Sequence, residues 1–271
     1  MSEAPREITR LFELAAAGGD AFTAPALPTG RPRLFGGQVA GQSLRAACLT
    51  AAGRAPHSLH AYFIRPGSPD EPLHFEVART RDGRSFSTRH VTASQGGKPI
   101  LELIASFQDP EDGFAWQAEP PTGVPLPEEL PEPAHPVFVR HPAGFEYRVV
   151  RQPAREGLPL PHPYWVRAAV PVGDDPALHA CLVTYLSDMG VVTSSRAPGS
   201  PRNLVTAVTL DHAVWFHRPP RADRWLLYSV DPVVNHGARG FARGTFHTGE
   251  GTLVASVAQE TLLRPASDHG R

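Results

Sequence analysis

Phe35-Gly-Gly-Gln-Val-Ala-Gly-Gln-Ser-Leu-Arg-Ala-Ala-Cys-Leu-Thr-Ala-Ala52 sets the first long helix of the chain. It is rich in good helix formers, has no interior proline, and carries small residues suited to close burial. Four strand-like runs follow, at His57–Arg65, Leu73–Thr80, Ser85–Ser94 and Ile100–Gln108. Leu73, Phe75 and Val77 alternate with His74, Glu76 and Ala78, the period of a half-buried strand. Pro66-Gly67, Asp82-Gly83 and Gly96-Gly97 lie between the runs and suit antiparallel turns.

The same order recurs further along. Pro176 to Met189 (PALHACLVTYLSDM) reads as a helix with proline near its start, where the missing donor costs nothing. Strand-like runs follow at Leu204–Arg218, Trp225–Val234, Gly240–Thr248 and Thr252–Leu263. Local matches keep the order: Ala47-Cys48-Leu49 with Ala180-Cys181-Leu182, Arg65-Pro66 with Arg218-Pro219, and Ala105-Ser106 with Ala255-Ser256. Between the repeats, Asp109 to Pro142 is so dense in proline that regular structure is excluded, and it reads as an extended linker. The division expected is residues 1–110, a linker over 111–143, and residues 144–271. A long helix followed by four antiparallel strands, twice, implies an α+β fold with sheets wrapping helices.

Of 271 residues, 41% are hydrophobic and 20% charged, enough for a packed core. With 26 basic and 27 acidic side chains the net charge is −1, which provides no basic field for nucleic acid. Cys48 and Cys181 are the only cysteines, too few for a disulfide framework or a thiolate zinc site. No apolar run approaches the ~20 residues that span a bilayer. The start lacks the pattern of a secretion signal, so a soluble, cytoplasmic protein is expected.

Several motifs fail on inspection. Gly36 to Ser43 superficially fits a phosphate loop, but Gln42 stands where the phosphate-reaching lysine belongs and no apolar strand precedes it. Ser43 lacks the second glycine of a nucleophile elbow. His57 and His60 are three apart, and His212 and His217 five apart, which sends the members of each pair to opposite strand faces. They read as ordinary polar or hydrogen-bonded residues, and no metal site is expected.

Three polar residues fall in apolar registers. Asp188 continues the stripe Leu178, Cys181, Tyr185 of the second helix, where a buried carboxylate is costly unless hydrogen-bonded. The alternative is a last turn emerging into solvent. Gln259 ends the row Leu253, Ala255, Val257, either inside or as a strand end reaching water. Thr209 shares a predicted face with Val205, Ala207, Asp211 and Ala213 and on its own reads as an ordinary strand residue. A carboxylate, a hydroxyl and an amide together could orient one water, with no metal and no covalent nucleophile. Periodicity does not show that the three meet.

At these residues the chain resembles the thioesterase II family of acyl-CoA thioesterases. The resemblance runs through Phe35-Gly-Gly-Gln-Val-Ala-Gly-Gln, His57-Ser-Leu-His-Ala-Tyr-Phe-Ile-Arg-Pro-Gly, Arg81-Asp-Gly-Arg-Ser-Phe-Ser-Thr-Arg, Tyr185-Leu-Ser-Asp, Thr209-Leu-Asp-His-Ala-Val-Trp-Phe-His-Arg-Pro, Ala238-Arg-Gly-Phe-Ala-Arg-Gly and Leu253-Val-Ala-Ser-Val-Ala-Gln-Glu. It implies a double hotdog, each half a central helix wrapped by an antiparallel sheet. It further implies hydrolysis of fatty acyl-CoA to free acid and CoA, with Asp188, Thr209 and Gln259 as catalytic residues and no cofactor. A homo-oligomer is expected by the same resemblance. One departure is Met-Gly-Val-Val-Thr-Ser-Ser-Arg after Asp188, where the family has a bulkier apolar stretch; a wider acyl pocket follows if that loop lines it.

Two other functions compete. A non-catalytic acyl-CoA-binding module would bind without turnover. A hydratase would need an Asp/His pair, and Asp211-His212, adjacent in one strand, point to opposite faces.

Overall fold

The structure is a computed structural model that describes residues 7–26, 33–132, 144–150, 162–197, 200 and 204–265. The end of the proline-rich run, 133–142, and the side chain of Val205 lie outside the described residues. In chain order the elements are α1 (Glu7–Arg10), β1 (Ala15–Gly18), β2 (Ala21–Ala24), α2 (Gly36–Leu49), β3 (Ala55–Phe63), β4 (Leu73–Asp82), β5 (Phe86–Gln95) and β6 (Lys98–Gln108). Then come β7 (Phe145–Val149), β8 (Tyr164–Ala168), α3 (Pro176–Ser187), α4 (Val191–Ser194), β9 (Leu204–Phe216), β10 (Leu226–His236), β11 (Arg239–Thr248) and β12 (Leu253–Pro265).

All strands among the described residues join one twelve-stranded sheet in the order β1-β2-β4-β5-β6-β3-β9-β12-β11-β10-β8-β7, with every paired neighbour antiparallel. The order is that of one half repeated about its centre, where β3 pairs with β9 from Ser58↔Trp215 to Tyr62↔Asp211. Each half contributes one long helix. This is the expected α+β double hotdog. The eight strands expected from the sequence are present, and four short ones extend the sheet ends. β1 and β2 (Ala-Ala-Ala-Gly and Ala-Phe-Thr-Ala) are too short and alanine-rich to show a strand period, and β7 and β8 follow the prolines.

The two long helices pack antiparallel on each other along one seam. A Cβ on Gly37 would lie 2.5 Å from the Tyr185 carbonyl, and one on Gly41 would lie 2.9 Å from that of Cys181. Glycine at these two positions lets the backbones approach closely. One turn further, Arg45 Nη1 donates to Asp175 Oδ2 at 2.8 Å, while Asp175 Oδ1 caps α3 by accepting from Ala177 N at 2.9 Å. Antiparallel packing places the start of α2 beside the end of α3, deep under the sheet. The proline-rich segment has no helix or strand from 109 to 126, and it docks on the second half: Trp165 Nε1 donates to the Pro125 carbonyl and Gln117 Nε2 to that of Gly251. Among the described residues no helix is long and apolar enough to cross a membrane.

Candidate active site

Asp188 is the C-terminal cap of α3, with helical backbone angles and 6% of its surface exposed. The stripe assignment therefore holds: the last turn of α3 is covered. Its Oδ2 accepts the backbone N–H of Gly37 at 2.9 Å, from the first turn of α2. That turn is the positive end of a 14-residue helix, a favourable place for a carboxylate. A Cβ on Gly36 would come within 2.9 Å of the same Oδ2 and within 2.9 Å of the Phe63 ring. The absent side chain of Gly36 is thus the space the carboxylate occupies.

Thr209 Oγ1 donates to Asp188 Oδ1 at 3.2 Å, and Gln259 Nε2 donates to Thr209 Oγ1 at 3.0 Å. The three residues singled out in the sequence meet. Gln259 is fully buried, so it is not a strand end reaching water. Its second amide hydrogen has a long contact with Thr261 Oγ1, at 3.4 Å.

The predicted strand face of Thr209 needs correction. Thr209 does not share the face of Asp211. On β12, Glu260 and Thr261 are consecutive, but their partners on β9 are Asp211 and Thr209, so Leu210 is an inserted bulge residue. The bulge resets the alternation. His212 lies opposite Gln259, and Thr209 opposite Thr261, all on the inner side. Asp211 instead accepts from the Glu260 backbone N–H at 3.0 Å, away from His212, as expected for adjacent strand residues.

His212, which reads in the sequence as an ordinary hydrogen-bonded residue, lies beside these three. It is 1% exposed, with Nδ1 2.7 Å from Gln259 Oε1 and Nε2 2.7 Å from Ser187 Oγ. Burial drives its pKa down to about 4, so it is a neutral ring. Ser187–His212–Gln259 has the outline of a nucleophilic triad, but Ser187 is fully buried and its Oγ also contacts the Thr184 carbonyl at 2.8 Å. An amide in place of a carboxylate on Nδ1 would not stabilise an imidazolium.

The end of α3 is clamped by tyrosines. Tyr228 OH donates to the Ser187 carbonyl and Tyr164 OH to that of Met189, at 3.3 Å for the latter. Burial pushes the hydroxyl pKa of both well upward, as it does for Tyr147, whose OH reaches Met189 Sδ at 3.6 Å. Phe35 and Phe145 pack on the Tyr185 ring at 4.9 and 5.7 Å. In the segment after Asp188, residues Val191–Ser194 form α4; Met189 is buried at the Tyr147 and Tyr164 hydroxyls, and Val191 is buried too. Among the described residues no three His, Cys, Asp or Glu side chains gather as a metal site would require.

Asp188 is thus a buried carboxylate between two closely packed helices, joined to a hydroxyl and an amide from the sheet of a double hotdog. Residues 23–108 match the family described as Acyl-CoA thioesterase N-terminal domain, and residues 146–262 match the Acyl-CoA thioesterase family. The chain is 37% identical to acyl-coenzyme A thioesterase 8 of Rattus norvegicus over 88% of its own length and 82% of that protein. It is 31% identical to acyl-CoA thioesterase 2 of Haemophilus influenzae, covering 97% and 99%. Its fold superposes on an acyl-CoA thioesterase II of Mycobacterium marinum with a TM-score of 0.82, at 37% identity over 97% of this chain and all of the other. The chain belongs to the acyl-CoA thioesterase family.

Proposed function

We propose that the protein hydrolyses fatty acyl-CoA thioesters by direct attack of a water held by Asp188, Thr209 and Gln259. The observation that carries this reading is the directed chain from Gln259 Nε2 through Thr209 Oγ1 to Asp188 Oδ1. Asp188 accepts the water's proton, and Thr209 keeps its carboxylate plane fixed. The second N–H of Gln259, in only long contact with Thr261, turns to the water oxygen. The N-terminal turn of α2 supplies positive potential for the oxyanion that develops on the thioester carbonyl. The leaving thiolate of CoA takes up the proton held by Asp188, and no cofactor enters.

The resemblance also implies a homo-oligomer. Tyr62, Ile104 and Trp215, exposed together on the outer face of β3, β6 and β9, support it. Light scattering that returned a monomer mass would contradict it.

The test is CoA release from acyl-CoAs of graded chain length by the wild type and by Asp188→Ala. Turnover that collapses in a folded Asp188→Ala supports the reading and reports the chain length preferred. Acyl-CoA binding with no wild-type turnover at any length would make the protein a binding module. Unchanged activity of Asp188→Ala would remove Asp188 from the chemistry.

A further inference from the structure

We propose that His212 is a positioning residue of this site: its Nδ1–H, held on Gln259 Oε1, fixes which way the Gln259 amide faces and so keeps the amide's N–H end toward Thr209 and the water. The inference rests on the hydrolytic reading above.

Two complete hydrogen-bond directions are open to the buried chain of side chains. In one, Ser187 O–H donates to His212 Nε2, His212 Nδ1–H to Gln259 Oε1, Gln259 Nε2 to Thr209 Oγ1, and Thr209 O–H to Asp188 Oδ1. In the other, every donor reverses. Ser187 donates to the Thr184 carbonyl, His212 carries its proton on Nε2, the Gln259 amide is turned over, and Thr209 donates to Gln259. A neutral imidazole has one donor and one acceptor, so its tautomer and the amide's orientation change together. The reversed chain takes the Thr209 proton away from Asp188, and a carboxylate can only accept. The charge on Asp188 favours the first direction from one end of the chain, and the Nδ1–H of His212 holds the Gln259 amide to it from the other.

The surroundings leave the ring little else to do. His212 is Gln259's directly opposed partner across β9 and β12, on the inner side below the bulge at Leu210. Ser187, its other contact, is one residue before Asp188 and has its own carbonyl held by Tyr228. Burial keeps the ring neutral, as the chain requires. His212 touches Gln259 and Ser187, and its effect on the water passes through Gln259.

The side chain of Asn places an N–H close to where His has Nδ1–H, whereas Leu fills the volume without a donor. His212→Leu is expected to lower kcat by about 10- to 100-fold with KM within threefold, since Gln259 is left with an unsatisfied buried carbonyl. His212→Asn is expected to recover most of that loss. In a Gln259→Ala background, His212→Leu should cause no further fall, because the two act as one unit. Nitrogen-15 NMR of the wild-type imidazole gives a reading that needs no variant to fold, and the Nδ1–H tautomer is expected. A side chain acting by size alone predicts the opposite order, with Leu near wild type and Asn impaired, and that order overturns the inference. So does an Nε2–H tautomer. If Asp188→Asn and Gln259→Ala keep wild-type turnover, the hydrolytic reading itself fails. If they abolish turnover while His212→Leu keeps it, the role of His212 alone fails.

Discussion

Gly37→Ala tests whether the close approach of α2 and α3 is what places Asp188. The added Cβ would sit 2.5 Å from the Tyr185 carbonyl oxygen and 2.5 Å from Phe35 Cε1, where ordinary contact begins at 3.4 Å. The Phe35 ring can swing, but the carbonyl belongs to the backbone of α3. The start of α2 must then retreat by roughly 0.9 Å, since cores resist overpacking. That movement stretches the 2.9 Å bond from Gly37 N to Asp188 Oδ2 beyond hydrogen-bond range. Overpacking costs ~1–3 kcal/mol and alanine returns ~0.5–1 kcal/mol in helix preference, so a net loss near 1–2 kcal/mol is expected. For a chain of this size that lowers Tm by about 2–8 °C. A bond to a charged group contributes ~1.5–3 kcal/mol, and losing it from the carboxylate that holds the water lowers kcat by about 10- to 100-fold. The assay is CoA release with a thiol-reactive chromophore, paired with thermal unfolding. Gly113→Ala, where a Cβ meets nothing within 4 Å, is the control and should match wild type in both. A Gly37→Ala protein with wild-type kcat would refute the role given to the Gly37–Asp188 contact.

Three further outcomes follow from the same geometry. Thr209→Val keeps the shape and removes the hydroxyl between Gln259 and Asp188, so kcat should fall by about 10- to 100-fold, while Thr209→Ser stays within about fivefold; equal rates for the two would contradict the relay. Arg89, buried at the far end of α2, donates to the Thr50 carbonyl and hydroxyl and to Asp82, so Arg89→Met should cost about 3 kcal/mol and roughly 6–12 °C in Tm. Its kcat at 25 °C should stay near wild type, and a large kcat loss in the folded variant would link this end of α2 to the chemistry. Burial holds His162 and His212 neutral, at about 3 and about 4, whereas the unfolded chain takes up those protons near pH 6.5. Each therefore contributes stability that is present above pH 6.5 and is lost as pH falls toward 4, about 2 kcal/mol apiece by pH 5. Denaturant midpoints at pH 7.5 and pH 5 measure this, and a midpoint unmoved by pH would contradict it.

The two long helices and eight of the strands were legible, α2 from a run of helix formers without proline, α3 from its apolar stripe and first-turn proline, and strands such as β4 and β12 from alternation, whereas the four-residue α1 and α4 left no such mark. β1, β2, β7 and β8 have only four or five residues each, too short for a period to emerge. Asp188 and Gln259 stood out as polar residues in apolar rows, and the structure buries both. Thr209 could not be placed from alternation, since the Leu210 bulge inverts the face and a bulge has no fixed sequence mark. His212 alternates with the buried Val214 and Phe216; its partner Gln259, 47 residues away along the chain, is what the sequence did not show. Gly36 and Gly37 were visible as small residues, but that Gly36 leaves room for a carboxylate and Gly37 for the α3 backbone depends on how two distant helices meet.

In the proposed mechanism water attacks the thioester directly, with Asp188 as its base. A single-turnover rapid-quench reaction in H2(18)O, following CoA, free acid and the intact mass of the protein together, tests it. The account predicts that CoA and acid appear at one rate, that the first acid formed carries one labelled oxygen, and that the protein never gains acyl mass. CoA released ahead of the acid with an acyl adduct on the protein, or unlabelled acid in the first turnover, would contradict it.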